Sequence, residues 1–175
     1  MACLVEAEGV SKVEDMDLIN YRPRRGGVIP YYWDEKTGPV FCLGRDIPSG
    51  DLTDFGGTIY YPKDGNCIRG ALREFWEETL HVFGRYRVDE VLACWVLCRM
   101  DMCILFIQIP KCPECYDYSF NIALERASRP EVSALVWVPC HRLLGALEEE
   151  ATLYTKVRDF LRPYSAFIQN LKPTN

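Results

Sequence analysis

The stretch Gly56-Gly57-Thr58-Ile59-Tyr60-Tyr61-Pro62-Lys63-Asp64-Gly65-Asn66-Cys67-Ile68-Arg69-Gly70-Ala71-Leu72-Arg73-Glu74-Phe75-Trp76-Glu77-Glu78-Thr79-Leu80 decides how the whole chain is read. It is a glycine turn, a polar loop and a helix. At about 100° per residue from Glu74, Glu77 falls at about −60° and Glu78 at about +40°, so three carboxylates share one helical face. Like charges at i,i+4 spacing cost a helix roughly a few tenths of a kcal/mol per pair, and an ordinary surface helix interleaves Lys or Arg there. A divalent cation removes that penalty. The opposite arc carries Ile68, Leu72, Phe75, Trp76, Thr79, Val82 and Phe83, an apolar stripe suited to anchoring the helix on a core. A solvated acidic face would carry the same string of acids, because charged residues make up 26% of the chain. Context favours a site: glycines ahead of a helix let backbone and ligand approach closely.

On these residues the chain resembles the Nudix family, whose box reads Gly-x5-Glu-x7-Arg-Glu-U-x-Glu-Glu-x-Gly-U with U aliphatic. Arg73-Glu74-Phe75-Trp76-Glu77-Glu78 matches the core of the box, with Phe75 in an aliphatic slot. Gly57 lies two residues too far from Arg73, Gly65 stands in the place of the first glutamate, and Leu80 and His81 replace a glycine and an aliphatic residue. The loop is therefore read as enlarged. Asp64, one residue out of register, is the nearest substitute for the lost acid, and Gly84 is the expected helix stop. The resemblance is tight over the box and loose over the flanking strands, from about residue 26 to about residue 170.

The resemblance implies an α/β fold, the Nudix α/β/α sandwich with a mixed β-sheet between helices. It also implies a pyrophosphohydrolase that breaks a phosphoanhydride bond with Mg²⁺ or Mn²⁺, hard cations that prefer carboxylate oxygen. Glu74, Glu77, Glu78 and Glu131, with the backbone of Gly57, are the expected metal-binding residues; Glu74, Glu78 and Glu131 are the expected catalytic ones; Arg73 is expected to orient a carboxylate. Glu131 is included because an acid before a Trp-containing strand serves as ligand or base in relatives acting on capped RNA, and Trp137 follows it; an exposed strand-opening acid is the alternative. Trp33, Tyr31, Phe55 and Tyr60 are candidates to stack on a purine or methylated guanine, with core packing the other fate of such rings. His81, at about −20° on the acidic arc, is either a further substrate contact or a helix-end residue. Asp54, just before the glycines, is read as a substrate-side contact or as an edge turn.

The missing glycine, the enlarged loop and the lone-domain layout are similar to the Nudix decapping enzymes of large DNA viruses such as poxviruses. The expected reaction is hydrolysis of the mRNA 5′ cap with release of methylated GDP, in the cytoplasm, of the host if the chain is viral. Small nucleoside diphosphate derivatives (a dinucleotide, a nucleotide sugar or ADP-ribose) and diphosphoinositol phosphates are the alternative substrates. An inactive nucleotide-binding module is the alternative from another class, and the intact trio Glu74, Glu77 and Glu78 argues against it.

The remaining sequence fits that frame. A length of 175 residues suits one domain, taken as 26–172 after a partly ordered segment 1–25. Net charge is −5, which excludes a whole-surface electrostatic grip on nucleic acid, so a DNA partner is not expected and any RNA contact must be local. Arg22, Arg24 and Arg25 form one basic spot, read as a solvated edge or a phosphate contact. No signal peptide is visible, and the longest apolar runs, Val91 to Cys98 and Met102 to Ile107, are too short to cross a bilayer. Nine cysteines, several inside apolar runs, read as reduced thiols. Cys112-Pro113-Glu114-Cys115 is a surface turn or half a zinc site completed by Cys140 with His141 or by Cys98 with Cys103. Expected strands are Val28 to Trp33, Pro39 to Gly44, Leu52 to Ile59, Tyr86 to Leu97, Met102 to Ile109 and Glu131 to Pro139; expected later helices are Ser119 to Ala127, His141 to Leu147, and Leu153 to Leu171 with a bend at Pro163.

Overall fold

The computed structural model describes residues 9–149 and 152–174. Its strands and helices run β1 (Val10–Lys12), β2 (Arg25–Asp34), β3 (Gly38–Asp46), β4 (Leu52–Thr53), β5 (Phe55–Thr58), α1 (Tyr61–Asp64), α2 (Cys67–Glu78), β6 (Trp95–Arg99), β7 (Met102–Gln108), α3 (Pro113–Arg126), β8 (Val132–Pro139), α4 (Cys140–Glu148), α5 (Thr155–Leu161) and α6 (Ser165–Gln169). This is a mixed α/β architecture, a mixed sheet flanked by helices. The chain groups into two compact units: residues 1–29 with 55–107, and residues 30–54 with 108–175. Among the described residues no helix is long and apolar enough to cross a membrane.

The first unit holds the glycine turn, the loop and the acidic helix. Within it β1 pairs antiparallel with β6, and β6 with β7 through a turn at Met100 and Asp101, both at positive φ, the mirror-type hairpin that matches strand twist. The start of β2 pairs with β5, placing Gly26 opposite Gly57 and Gly27 opposite Gly56. A Cβ on Gly26 would sit 3.1 Å from Ile59 Cδ1 and 3.2 Å from Ala71 Cβ, so the bare strand is what lets α2 lie close on it. Asn66 caps α2 by accepting the Arg69 N–H at 2.9 Å, and Ile68, Leu72 and Phe75 are buried as the apolar stripe requires. Phe75 tolerates its aliphatic slot because it joins an aromatic cluster, with Phe83 at 5.3 Å, Phe55 at 5.9 Å and Tyr86 at 6.3 Å between ring centroids.

The second unit is built on β3. It pairs with the end of β2, with β4, and along its length with β8, where Cys42 faces Trp137. The Trp137 Nε1–H donates to Asp117 of α3 at 2.8 Å, fastening that helix to β8. Phe120, Leu143, Val157, Phe160 and Ile168 are fully buried under the helices of this unit.

Several boundaries differ from expectation. Residues 86–94 are not strand: the Arg87 N–H donates to the Glu90 carboxylate at 3.0 Å across a 3₁₀ turn at Val88–Glu90, and only Trp95–Arg99 is extended. The helix expected at Ser119 starts at Pro113, because proline at the first turn needs no N–H partner. The expected terminal helix is broken at Pro163 by a 3₁₀ turn between α5 and α6. Part of the 1–25 segment is strand β1; residues 1–8 lie outside the described residues. Cys112 and Cys115 are joined as a disulfide, so this pair is neither free thiol nor zinc ligand, while the other six cysteines among the described residues form no disulfide.

Candidate active site

The acids of α2 meet the glycines of β5 inside the first unit. Glu78 Oε2 accepts the Gly56 N–H at 2.8 Å. At Gly57 a Cβ would lie 2.7 Å from the Glu74 carboxyl carbon, so the missing side chain is the space in which that carboxylate rests. Arg73 runs alongside: its Nη1 donates to Glu74 Oε1 at 3.0 Å and to Glu77 Oε2 at 3.2 Å, and its Nη2 to the Thr58 carbonyl at 3.2 Å. Glu77 is the most exposed of the three acids.

The enlarged loop supplies the remaining partner. It folds as the helical turn α1, and Asp64 at its end is 4% exposed. Asp64 receives Arg73 Nε at 2.7 Å on Oδ1 and Arg73 Nη2 at 3.0 Å on Oδ2, a bidentate pair, and also accepts the Tyr60 N–H at 2.8 Å. Burial works to raise the Asp64 carboxyl, but the Arg73 hydrogen bonds and charge with the Tyr60 N–H outweigh it and hold it below the ordinary carboxylate value. The Arg73 guanidinium is raised in turn, Asp64 being the largest cause. Gly70 permits this packing: a Cβ there would stand 2.8 Å from Ile59 Cγ2 and 3.0 Å from Asp64 Oδ2. The glycine in mid-helix was the sequence signal for that close approach.

The helix exit departs from expectation. α2 stops at Glu78 rather than near Gly84, and Leu80 and His81 take φ of 53° and 68°. The Leu80 N–H bonds the Glu77 carbonyl at 3.1 Å and the His81 N–H the Trp76 carbonyl at 2.9 Å, which is the Schellman ending with leucine where glycine is usual. His81 therefore leaves the acidic arc and stacks on Trp76 at 3.7 Å between ring centroids. Tyr31 and Phe55, candidates for base stacking, are 1% and 0% exposed; their rings pack in the cores of their units and are removed as substrate contacts. Tyr60 is 61% exposed and Trp33 half-buried. Asp54 is wholly buried, taking the Thr53 hydroxyl at 3.1 Å, so it is not an edge turn. Glu131 is exposed in the second unit, before β8, its carbonyl accepting the Ile47 N–H at 3.0 Å. In the basic spot, Arg22 lies 4.1 Å from the Tyr61 ring centroid and Arg24 pairs with Asp101.

The donor set of Glu74, Glu78 and the glycine backbone has the hard oxygen chemistry that Mg²⁺ and Mn²⁺ take, and the cradle at Gly57 keeps one carboxylate against the main chain. Arg73 neutralises Glu74 and Glu77, and among the described residues no three His, Cys, Asp or Glu side chains converge on one ion position.

No family model matches the sequence, and no curated protein does. Solved structures do match the fold. A Nudix hydrolase from Alicyclobacillus acidocaldarius is 11% identical with TM-score 0.52, over 87% of this chain and 98% of that one. RenU, a Nudix hydrolase from M. smegmatis, is 12% identical with TM-score 0.51, over 88% and 91%. The pyrophosphohydrolase BsRppH of Bacillus subtilis is 18% identical with TM-score 0.50, over 91% and 89%. The chain has the Nudix fold.

Proposed function

We propose that residues 26–172 act as one Nudix pyrophosphohydrolase domain that hydrolyses a phosphoanhydride bond, with the 5′ cap of RNA as substrate and methylated GDP as product. The observation that carries the reading is the contact of Glu74 and Glu78 with Gly57 and Gly56, on a fold shared with proteins described as hydrolases and as a pyrophosphohydrolase. Glu74 and Glu78 would hold Mg²⁺ or Mn²⁺, with the more exposed Glu77 beside them on the same helix. When bound, such an ion neutralises phosphate charge and lowers the pKa of a coordinated water. The chain's own contributions are positional. Gly56 fixes Glu78 through its N–H, Gly57 leaves room for Glu74, and Arg73, gripped by Asp64, sets the angle of Glu74 and Glu77. Tyr60, an exposed ring of the same unit as the acids, is the candidate for base stacking.

The test is a substrate panel with Mg²⁺ or Mn²⁺: capped RNA, free cap dinucleotide, ADP-ribose and a diphosphoinositol phosphate, each with wild type and Glu78→Gln. Release of methylated GDP from capped RNA, abolished in Glu78→Gln, is expected. Turnover of nothing, or turnover that survives the substitution, contradicts the hydrolase; faster turnover of the small compounds contradicts decapping.

A further inference from the structure

On the flank of α2 away from its acids, a groove of about 420 Å³ opens within the first unit. Its lining includes Arg69, Arg73, Arg85 and Arg87, together with Tyr86 and the single acid Asp89. Four guanidinium groups thus line one groove in a chain whose net charge is −5, and their pairing with nearby acids decides which of them are available to a ligand. The grouping follows from where the elements run. Arg69 and Arg73 sit one helical turn apart on α2, and the irregular segment after the helix brings Arg85 and Arg87 to the opposite wall on either side of half-buried Tyr86.

The arginines are not equally occupied. Arg73 is held by Asp64, Glu74 and Glu77, and Arg87 pairs with Asp89 at 3.2 Å and Glu90 at 3.5 Å. Arg85 lies 4.8 Å from the Trp76 ring centroid, and among the described residues neither Arg69 nor Arg85 has a carboxylate at ion-pair distance. Two exposed guanidinium groups thus face one groove without counter-charge from the protein. Guanidinium is the side chain best shaped to grip phosphate oxygens two at a time, and several along a groove match a repeating anion rather than a single one.

We propose that this groove binds a linear phosphate chain, the chemistry shared by the backbone of single-stranded RNA and by inorganic polyphosphate. Arg73 lines the groove and also bonds Glu74 and Glu77, so a chain lying there would lead to the acid flank of α2. The binding goes beyond the proposed hydrolysis and does not require it.

The experiment is equilibrium binding of intact protein to a fluorescent single-stranded RNA with a 5′ hydroxyl, which contains no phosphoanhydride bond, with inorganic polyphosphate as competitor. The double variant Arg69→Glu with Arg85→Glu is expected to bind about tenfold weaker or worse. The salt slope of log K is expected to flatten by roughly 0.7 for each phosphate that is no longer neutralised. Arg69→Lys with Arg85→Lys keeps most of the binding. Arg126→Glu with Arg142→Glu, the same charge change at exposed positions on α3 and α4, stays within about twofold. Unfolding midpoints report whether each variant folds, and Arg69→Gln with Arg85→Gln replaces the reversal if it does not. Polyphosphate that displaces the RNA extends the site to phosphoanhydride chains; polyphosphate that fails to displace it narrows the site to phosphodiesters. Binding that is absent in wild type, unchanged in the groove variant, or equally weakened in the control overturns the proposal. Arginine-dependent binding without any turnover removes the hydrolase and leaves the groove; turnover with arginine-independent binding does the reverse.

Discussion

At the entry to α2 the chain lacks the glutamate that the Nudix pattern would place at Gly65, and at the exit it lacks the glycine that would stand at Leu80. The entry is repaired with charge: Asp64, one residue earlier, is buried and binds Arg73 with both oxygens. The exit is repaired with conformation: Leu80 itself takes the left-handed φ of 53° and both hydrogen bonds of the helix ending form around it. One substitution keeps an interaction by changing its partner, the other keeps a geometry by straining a residue. The first is costly to remove and the second is costly to keep.

The largest effect is expected at the entry. Asp64→Ala leaves Arg73, whose side chain is 15% exposed, without its strongest partner, and removing one member of a buried pair costs about 3 kcal/mol. Urea unfolding measures it; a loss below about 1 kcal/mol would mean that Glu74 and Glu77 alone hold Arg73. The same pair sets an acid dependence. The folded pKa of Asp64 is depressed, so its contribution is present above the unfolded carboxylate value and is lost as pH falls through the folded value. Wild type should lose stability over that acid range more steeply than Asp64→Asn.

Gly57→Ala comes next. Its Cβ would meet the Glu74 carboxylate at 2.7 Å, and the flexible acid moves aside more easily than the strand. Misplacement of a reacting-site group by about an ångström costs on the order of 100-fold in rate, so hydrolysis falls by about that factor while the unfolding midpoint shifts little. The smallest effect has the opposite sign. Left-handed φ costs an L-residue roughly 1–2 kcal/mol, and glycine's extra freedom when unfolded returns roughly 0.5–1, so Leu80→Gly should stabilise by roughly 0.5 kcal/mol. A destabilised Leu80→Gly would show that packing of the leucine side chain, not the backbone, holds the exit.

Much of α2 was legible because its apolar stripe has helical period and its acids share an arc, both of which are local properties of the sequence. The runs Val28 to Trp33 and Pro39 to Gly44, joined by a short loop ending at Gly38, likewise marked a hairpin, seen as β2 and β3. What escaped was non-local. No residue type announces that leucine will occupy a left-handed position, so sequence periodicity carries the helix on toward Gly84, whereas α2 stops at Glu78 and His81 is the helix-end residue of its two readings. Tyr31, Phe55, Trp33 and Tyr60 are similar rings in sequence, and only the packed structure separates the first two, in the core, from Tyr60 in solvent. The Asp64–Arg73 pair spans nine residues across a loop of unpredictable path, and the groove arginines face one another because residues 86–94 are irregular where a strand was expected.

Hydrolysis as proposed depends on Glu74 and Glu78 forming a divalent-cation site on α2. Titration of Mn²⁺ into wild type and into Glu74→Gln with Glu78→Gln, followed by calorimetry, tests it without any substrate. Saturable binding in wild type, weakened about tenfold or more in the double variant, is the predicted result. Equal binding by the two proteins, or none by wild type, would contradict it.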